Sequence, residues 1–169
     1  CDKAAILPKD IEWHLIGHLQ SNKVKYIAPF VSLIHAVDSE KLLEEINKQA
    51  IKNKRVIPCL LQIHIAKEET KFGFSEEEVL DMLSTISFQS FSNIEIHGLM
   101  GMATNTDNED QVEQEFETLH KLFLSIKNNF FSNSPYFKEL SMGMSSDYKL
   151  ALKHGATMIR VGSILFGER

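Results

Sequence analysis

Cysteine is nearly absent from this sequence: Cys1 and Cys59 are its only two. One terminal and one internal thiol do not make a disulfide framework, which excludes the small disulfide-stapled secreted classes and makes a reducing cytoplasm the expected setting. An excess of basic residues is also lacking. With 18 Lys and Arg against 23 Asp and Glu the formal net charge is -5, so there is no broad cationic face for nucleic acid, while small ligands and protein partners stay open. No apolar run reaches the roughly 18–20 residues of a membrane span. The opening "CDKAAILPKD" does not have the charged-then-apolar layout of a signal peptide. Low-complexity linkers and compositional breaks are missing as well. Residues 1–169, 43% hydrophobic, are therefore expected to form one domain with a substantial core.

What is there is alternation of short apolar segments with longer amphipathic ones. Strands are predicted over 12–17, 32–38, 55–65, 94–103, 139–145 and 156–163, whose Ile, Val and Leu content suits buried parallel strands. Helices are predicted between them. In "DSEKLLEEINKQAIKNK" the residues Leu42, Leu43, Ile46 and Ala50 share a face, with Asp38 or Ser39 as the cap. "SEEEVLDMLSTI" and "NEDQVEQEFETLHKLFLSIKNN" repeat the pattern, with acids in the first turn where the helix dipole favours them. About six β/α units result.

Such a run builds either an open doubly wound sheet or a (β/α)₈ barrel. A dinucleotide-binding sheet needs G-x-G-x-x-G in its first strand-to-helix turn, and no turn here carries it. A barrel often holds phosphate in the loops after its last two strands, and those strands end here in "GMSSD" and "VGS". Small residues let backbone N–H groups approach an anion, and Ser145 and Ser163 add hydroxyls. The alternative is a pair of ordinary strand-to-helix turns.

The last strand, in "TMIRVGSILFGER", contains an arginine, a residue seldom buried without a partner. Strand alternation puts Met158, Arg160 and Gly162 on one face and Ile159, Val161 and Ser163 on the other. The apolar set suits the layer under the helices, so Arg160 is expected to point into the barrel. There it meets either a ligand or a core carboxylate.

"LSMGMSSDYKLALKHGATMIRVGSILFGER" resembles the C-terminal signature of the pyridoxal phosphate homeostasis family, the YggS-like proteins. "WHLIGHLQSNK", "HAVDS", "QIHIAKEETKFGF" and "HGLMGMAT" are similar to that family's successive motifs, in order and over essentially the whole chain. The resemblance implies a TIM barrel like the barrel domain of alanine racemases, of which about six of eight units lie in this sequence. It implies pyridoxal 5′-phosphate (PLP) as cofactor, with Ser145, Gly162 and Ser163 at the phosphate and Arg160 at the pyridine nitrogen. The implied function is PLP carriage and vitamin B6 homeostasis without robust catalysis, with apo-PLP enzymes as possible acceptors. A weak PLP enzyme of alanine-racemase type is the alternative, and a phosphosugar-type barrel enzyme a third possibility. The family's Schiff-base lysine and an Asn-containing turn belong to two strands that would precede "DIEWH", so no catalytic residue is assigned here and further strands are expected before Cys1.

Other polar residues invite readings of their own. His14 and His18 have the spacing of an H-E-x-x-H pair, but in a strand and without the Glu, so no metal site is assigned. Ser146 and Lys149 form S-x-x-K without the further motifs of serine β-lactamases, and Ser146 is read as a helix cap. His64 and His97 are read as satisfied core residues. Lys71, in the loop after the third strand, is either solvated or a secondary PLP acceptor at the barrel mouth.

Overall fold

The computed structural model describes residues 2–68, 72–85 and 91–167. Six strands form: β1 (Trp13–Leu15), β2 (Val31–Val37), β3 (Ile57–Ile63), β4 (Ile94–Gly101), β5 (Glu139–Met144) and β6 (Met158–Arg160). The helices are α1 (Asp2–Ile6), α2 (Val24–Ile27), α3 (Glu40–Lys52), α4 (Glu76–Thr85), α5 (Glu109–Phe130), α6 (Tyr148–Lys153) and α7 (Ser163–Phe166). All six predicted strands are present; five are shorter than predicted, and β2 keeps its length but begins one residue earlier. The predicted 156–163 segment is extended only over Met158–Arg160, because Gly162 turns the chain and Ser163 opens α7.

Strand order decides between the two architectures. The strands are all parallel and pair in chain order, β1-β2-β3-β4-β5-β6. A doubly wound sheet reverses its order part-way and carries helices on both faces. An unreversed parallel order with right-handed crossovers keeps every connection on one face and winds toward a barrel.

The curl is measurable in side-chain contacts. Neighbouring strands are ~4.8 Å apart, so β2 and β5, three spacings apart, would stand ~14 Å from each other in a flat sheet. Yet His35 of β2 hydrogen-bonds directly to Ser141 of β5, Nδ1 to Oγ at 2.9 Å. Only a strongly curved sheet allows that.

The main core lies between the sheet and its helices. Ile34, Cys59, Leu61, Leu99, Leu140 and Met142 from the strands pack with Leu43 and Ile46 of α3 and Phe116, Leu119 and Ile126 of α5. A second, smaller apolar layer of Leu33, Leu60 and Met100, joined by Met158, fills the concave side. Helix starts follow the chemistry of their first turns. Ser75 and Glu78 exchange side-chain-to-backbone bonds at the start of α4, and Asn108 Oδ1 accepts from Gln111 N at the start of α5. One predicted cap keeps its position without its side-chain bond, and another is corrected. Ser39 is the N-cap of α3 but turns its hydroxyl to Asp38 instead of to the helix. The N-cap of α6 is Asp147 and not Ser146; the Asp147 carboxylate accepts from Met144 N and so closes the turn after β5.

Candidate functional site

The concave face opens into a cavity of about 830 Å³ at the carboxyl ends of β5 and β6. Its wall includes His14, His35, Ser145, Arg160, Gly162 and Ser163. Four of the five residues singled out from sequence thus share one cavity. The fifth, Lys71, lies outside the described residues.

The turn after β5 and the turn after β6 are tied together, since Gly162 N donates to Ser145 Oγ at 3.2 Å. Gly143 lets this happen. It has φ +90°, and a Cβ there would stand 2.6 Å from Ala151 Cβ, so only glycine lets α6 pack this closely under the turn. A Cβ at Gly162 would meet nothing within 4 Å. That open space, flanked by the Ser145 and Ser163 hydroxyls, suits a small anion.

Arg160 points inward as strand alternation requires, and among the described residues it forms no salt bridge. Nη1 donates to Ser141 Oγ at 2.7 Å and Nη2 to Gly101 O at 2.9 Å, at the end of β4. Two of its five N–H groups are used in this way. Burial lowers its pKa to about 10, with Asp147 acting in the opposite direction, so the guanidinium stays charged near neutral pH. The division of the last strand into two faces holds only as far as Arg160. Ile159, Val161 and Ser163, expected under the helices, line the cavity too, because the strand ends and the chain turns across its mouth.

Two residues not singled out as site residues, His14 and His35, complete the wall, and the buried Ser141 stands behind it. His35 joins Ser141 through Nδ1 and His14 Nδ1 through Nε2, the latter at 3.1 Å. Its pKa is lowered to about 3, chiefly by burial and then by the nearby His14 and Arg160, so its imidazole is neutral. A line of contacts therefore runs from Arg160 through Ser141 and His35 to His14. The only signal in the sequence is a polar residue at an inward position of an apolar strand. After β4 the buried Glu115 carboxylate of α5 accepts from Thr104 N and Thr104 Oγ1, both at 2.7 Å. Thr104 Oγ1 accepts in turn from Lys67 N, which fixes the loops after β3 and β4 to each other.

Three other histidines have local partners. His18 Nδ1 contacts Asp38 Oδ2 at 3.0 Å, a pair separate from His14 and His35. His64 Nε2 meets Glu68 O at 2.9 Å, and His97 pairs with Glu95 and stacks on Tyr136. Both fit the reading as satisfied residues.

Residues 3–169 match the family described as alanine racemase, N-terminal domain. The pyridoxal phosphate homeostasis protein of Aquifex aeolicus is 38% identical over 165 residues, which are 98% of this chain and 70% of that one. The chain belongs to the pyridoxal phosphate homeostasis family. The PLP-bound structure of another family protein, PipY of Synechococcus elongatus PCC7942, superposes with a TM-score of 0.84 at 31% identity, covering 98% of this chain and 74% of that one. Alanine racemase of Clostridium difficile 630 superposes with a TM-score of 0.70 at 13% identity and shares the fold. The resemblance read from the motifs is thus borne out at the level of family and fold. Among the described residues no helix is long and apolar enough to cross a membrane.

Proposed function

We propose that this protein binds PLP in the concave cavity and acts in PLP homeostasis as a carrier or regulator without robust catalysis. The observation that carries the reading is the position of Arg160. It is a charged, inward guanidinium with N–H groups to spare, next to an anion-sized space between Ser145, Gly162 and Ser163. Ser145 and Ser163 hydroxyls and the Gly162 N–H would hold the phosphate, the last by exchanging its bond to Ser145 Oγ for one to the anion. Arg160 would meet the pyridine nitrogen.

When bound, PLP supplies an aldehyde and an electron-withdrawing ring. How strongly that ring withdraws electrons depends on its nitrogen. A guanidinium has hydrogens to give and no lone pair to receive one, so beside Arg160 the nitrogen is kept unprotonated and the ring is a weak electron sink. Carbanion chemistry is then poorly supported, which argues against the racemase alternative. Apo-PLP enzymes are the acceptors we infer for a carrier. The scarcity of cysteine, with Cys59 free and buried, supports a cytoplasmic setting. Lys71, in the loop after β3, we infer to be a secondary aldehyde acceptor at most.

The test is spectroscopic and kinetic. Titration of the native chain should give the absorbance of bound PLP, and the loaded protein should exchange the α-proton of L- or D-alanine no faster than free PLP does. Exchange well above that background would favour the racemase reading.

A further inference from the structure

Hydrogen-bond accounting along the line from Arg160 defines what His14 presents to the cavity. Arg160 can only donate, so Ser141 Oγ is an acceptor at the 2.7 Å contact with Nη1. Ser141 is fully buried. Among the described residues its hydroxyl hydrogen has one acceptor in reach, His35 Nδ1 at 2.9 Å. Sending that hydrogen anywhere else orphans a buried donor, which is costly. His35 Nδ1 is therefore the acceptor, and the neutral His35 imidazole carries its proton on Nε2. From there it donates to His14 Nδ1 at 3.1 Å. With Nδ1 accepting, His14 has its own proton on Nε2, an atom with no hydrogen bond among the described residues. His14 is exposed and lines the cavity.

We propose that His14 is a ligand-contacting residue whose Nε2–H is offered to an oxygen of the molecule bound in the cavity, with Ser141 and His35 as positioning residues that set its tautomer. The ligand contact rests on the reading of the cavity as the PLP site. The relay begins at a cation and every link donates in the same sense, so each bond polarises the next and the terminal N–H favours an acceptor with negative charge. PLP has such an acceptor. Its ring oxygen, on C3, is meta to the phosphate arm on C5 with the aldehyde carbon between them, so a phosphate held at the ends of β5 and β6 would leave that oxygen free to meet a different wall. His14 sits on β1, at the other end of the strand order. The carboxylate of an amino acid bound beside the ring offers the same chemistry.

Two measurements on the native chain test this. Long-range ¹⁵N–¹H correlation spectra without PLP read the tautomers directly. They should show Nε2–H for both histidines, preserved in Ser141→Thr and redistributed in Ser141→Ala. An Nδ1–H His14 in the wild type overturns the proposal whether or not PLP binds. Titrations of His14→Phe then identify the acceptor. A loss of roughly 3- to 10-fold for PLP, absent for 3-deoxypyridoxal phosphate, assigns the ring oxygen. An unchanged PLP affinity with a similar loss for L-alanine relative to alaninamide in the PLP-loaded protein assigns the carboxylate. His14→Gln, which keeps an N–H donor, should recover part of either loss. His14→Phe equal to wild type in all these titrations overturns the contact. A wild-type chain that takes up no PLP defeats the cofactor reading and the contact with it, and an Nε2–H spectrum in that same chain would show that the relay itself stands.

Discussion

Replacing Arg160 with Gln separates a guanidinium that serves a ligand from one that holds the fold together. Two opposing terms set the cost to the apo chain. The bonds from Nη1 to Ser141 Oγ and from Nη2 to Gly101 O are charge-assisted, at about 1.5–3 kcal/mol each, or about 3–6 kcal/mol together. Against them stands desolvation. Burial lowers the guanidinium pKa from its ordinary value to about 10, which at 1.36 kcal/mol for each tenfold change is about 3 kcal/mol unfavourable to the charged form in the fold. Gln removes that penalty and can re-form one neutral bond of about 1 kcal/mol. The apo stability of Arg160→Gln should therefore lie within about 2 kcal/mol of wild type. On the proposed reading PLP binding would have no such compensation, because the contact to the ring nitrogen would be lost outright. An affinity loss of about 1–3 kcal/mol is expected, roughly 5- to 150-fold in Kd. Urea melts of the apo chain give the first quantity and absorbance titrations with PLP the second. A Kd within twofold of wild type would refute the ligand role. An apo destabilisation above about 4 kcal/mol would show that the arginine is kept for the fold.

The neutral, buried His35 makes stability depend on pH. Its folded pKa of about 3 lies below the unfolded 6.5, so its contribution is complete above pH 6.5 and declines as pH falls toward 3. Between pH 7 and pH 4.5 the wild type should lose about 2–3 kcal/mol more than His35→Phe does, and parallel pH profiles in urea melts would remove that cause. Gly162→Val should leave the apo stability unchanged, because a Cβ there meets nothing within 4 Å, yet it should weaken PLP binding at least about tenfold by filling the anion space. An unaltered Kd in that variant would mean that the phosphate sits elsewhere. Borohydride reduction of the PLP-loaded native chain followed by peptide mapping should find Lys71 labelled weakly or not at all. Dominant labelling there would make it the principal acceptor.

Ser145, Arg160, Gly162 and Ser163 were legible in the sequence because they follow one another along the last two strand ends, where small residues and an ill-fitting arginine stand out against Ile, Val and Met. Strand ends were harder, because hydrophobic content does not say where a turn begins. Val161 and Ser163 continue the alternation on paper, although Gly162 has already bent the chain out of the sheet. The α6 cap was misassigned for a related reason. Ser146 and Asp147 are both good capping types, and the choice between them is made by the carboxylate reaching back to Met144 N, a tertiary detail of the turn.

His14, His35 and Ser141 mark a different boundary. Period-two alternation tells which face of a strand a side chain occupies, and it places His35 and Ser141 inward without difficulty. It cannot tell that residues 106 positions apart and three strands distant are in contact. That depends on curvature, and curvature depends on the unreversed strand order together with the small apolar layer of Leu33, Leu60 and Met100 that the concave side closes upon. In a flatter sheet Ser141 would be an ordinary buried serine, His35 would lose its Nδ1 partner, and Arg160 would have no hydroxyl to hold it. The same curvature that makes the cavity thus links the arginine to a histidine on its far wall. For that reason substitutions that flatten the sheet should disturb the His14 tautomer before they disturb the bond from Gly162 N to Ser145 Oγ, which spans only the ends of adjacent strands.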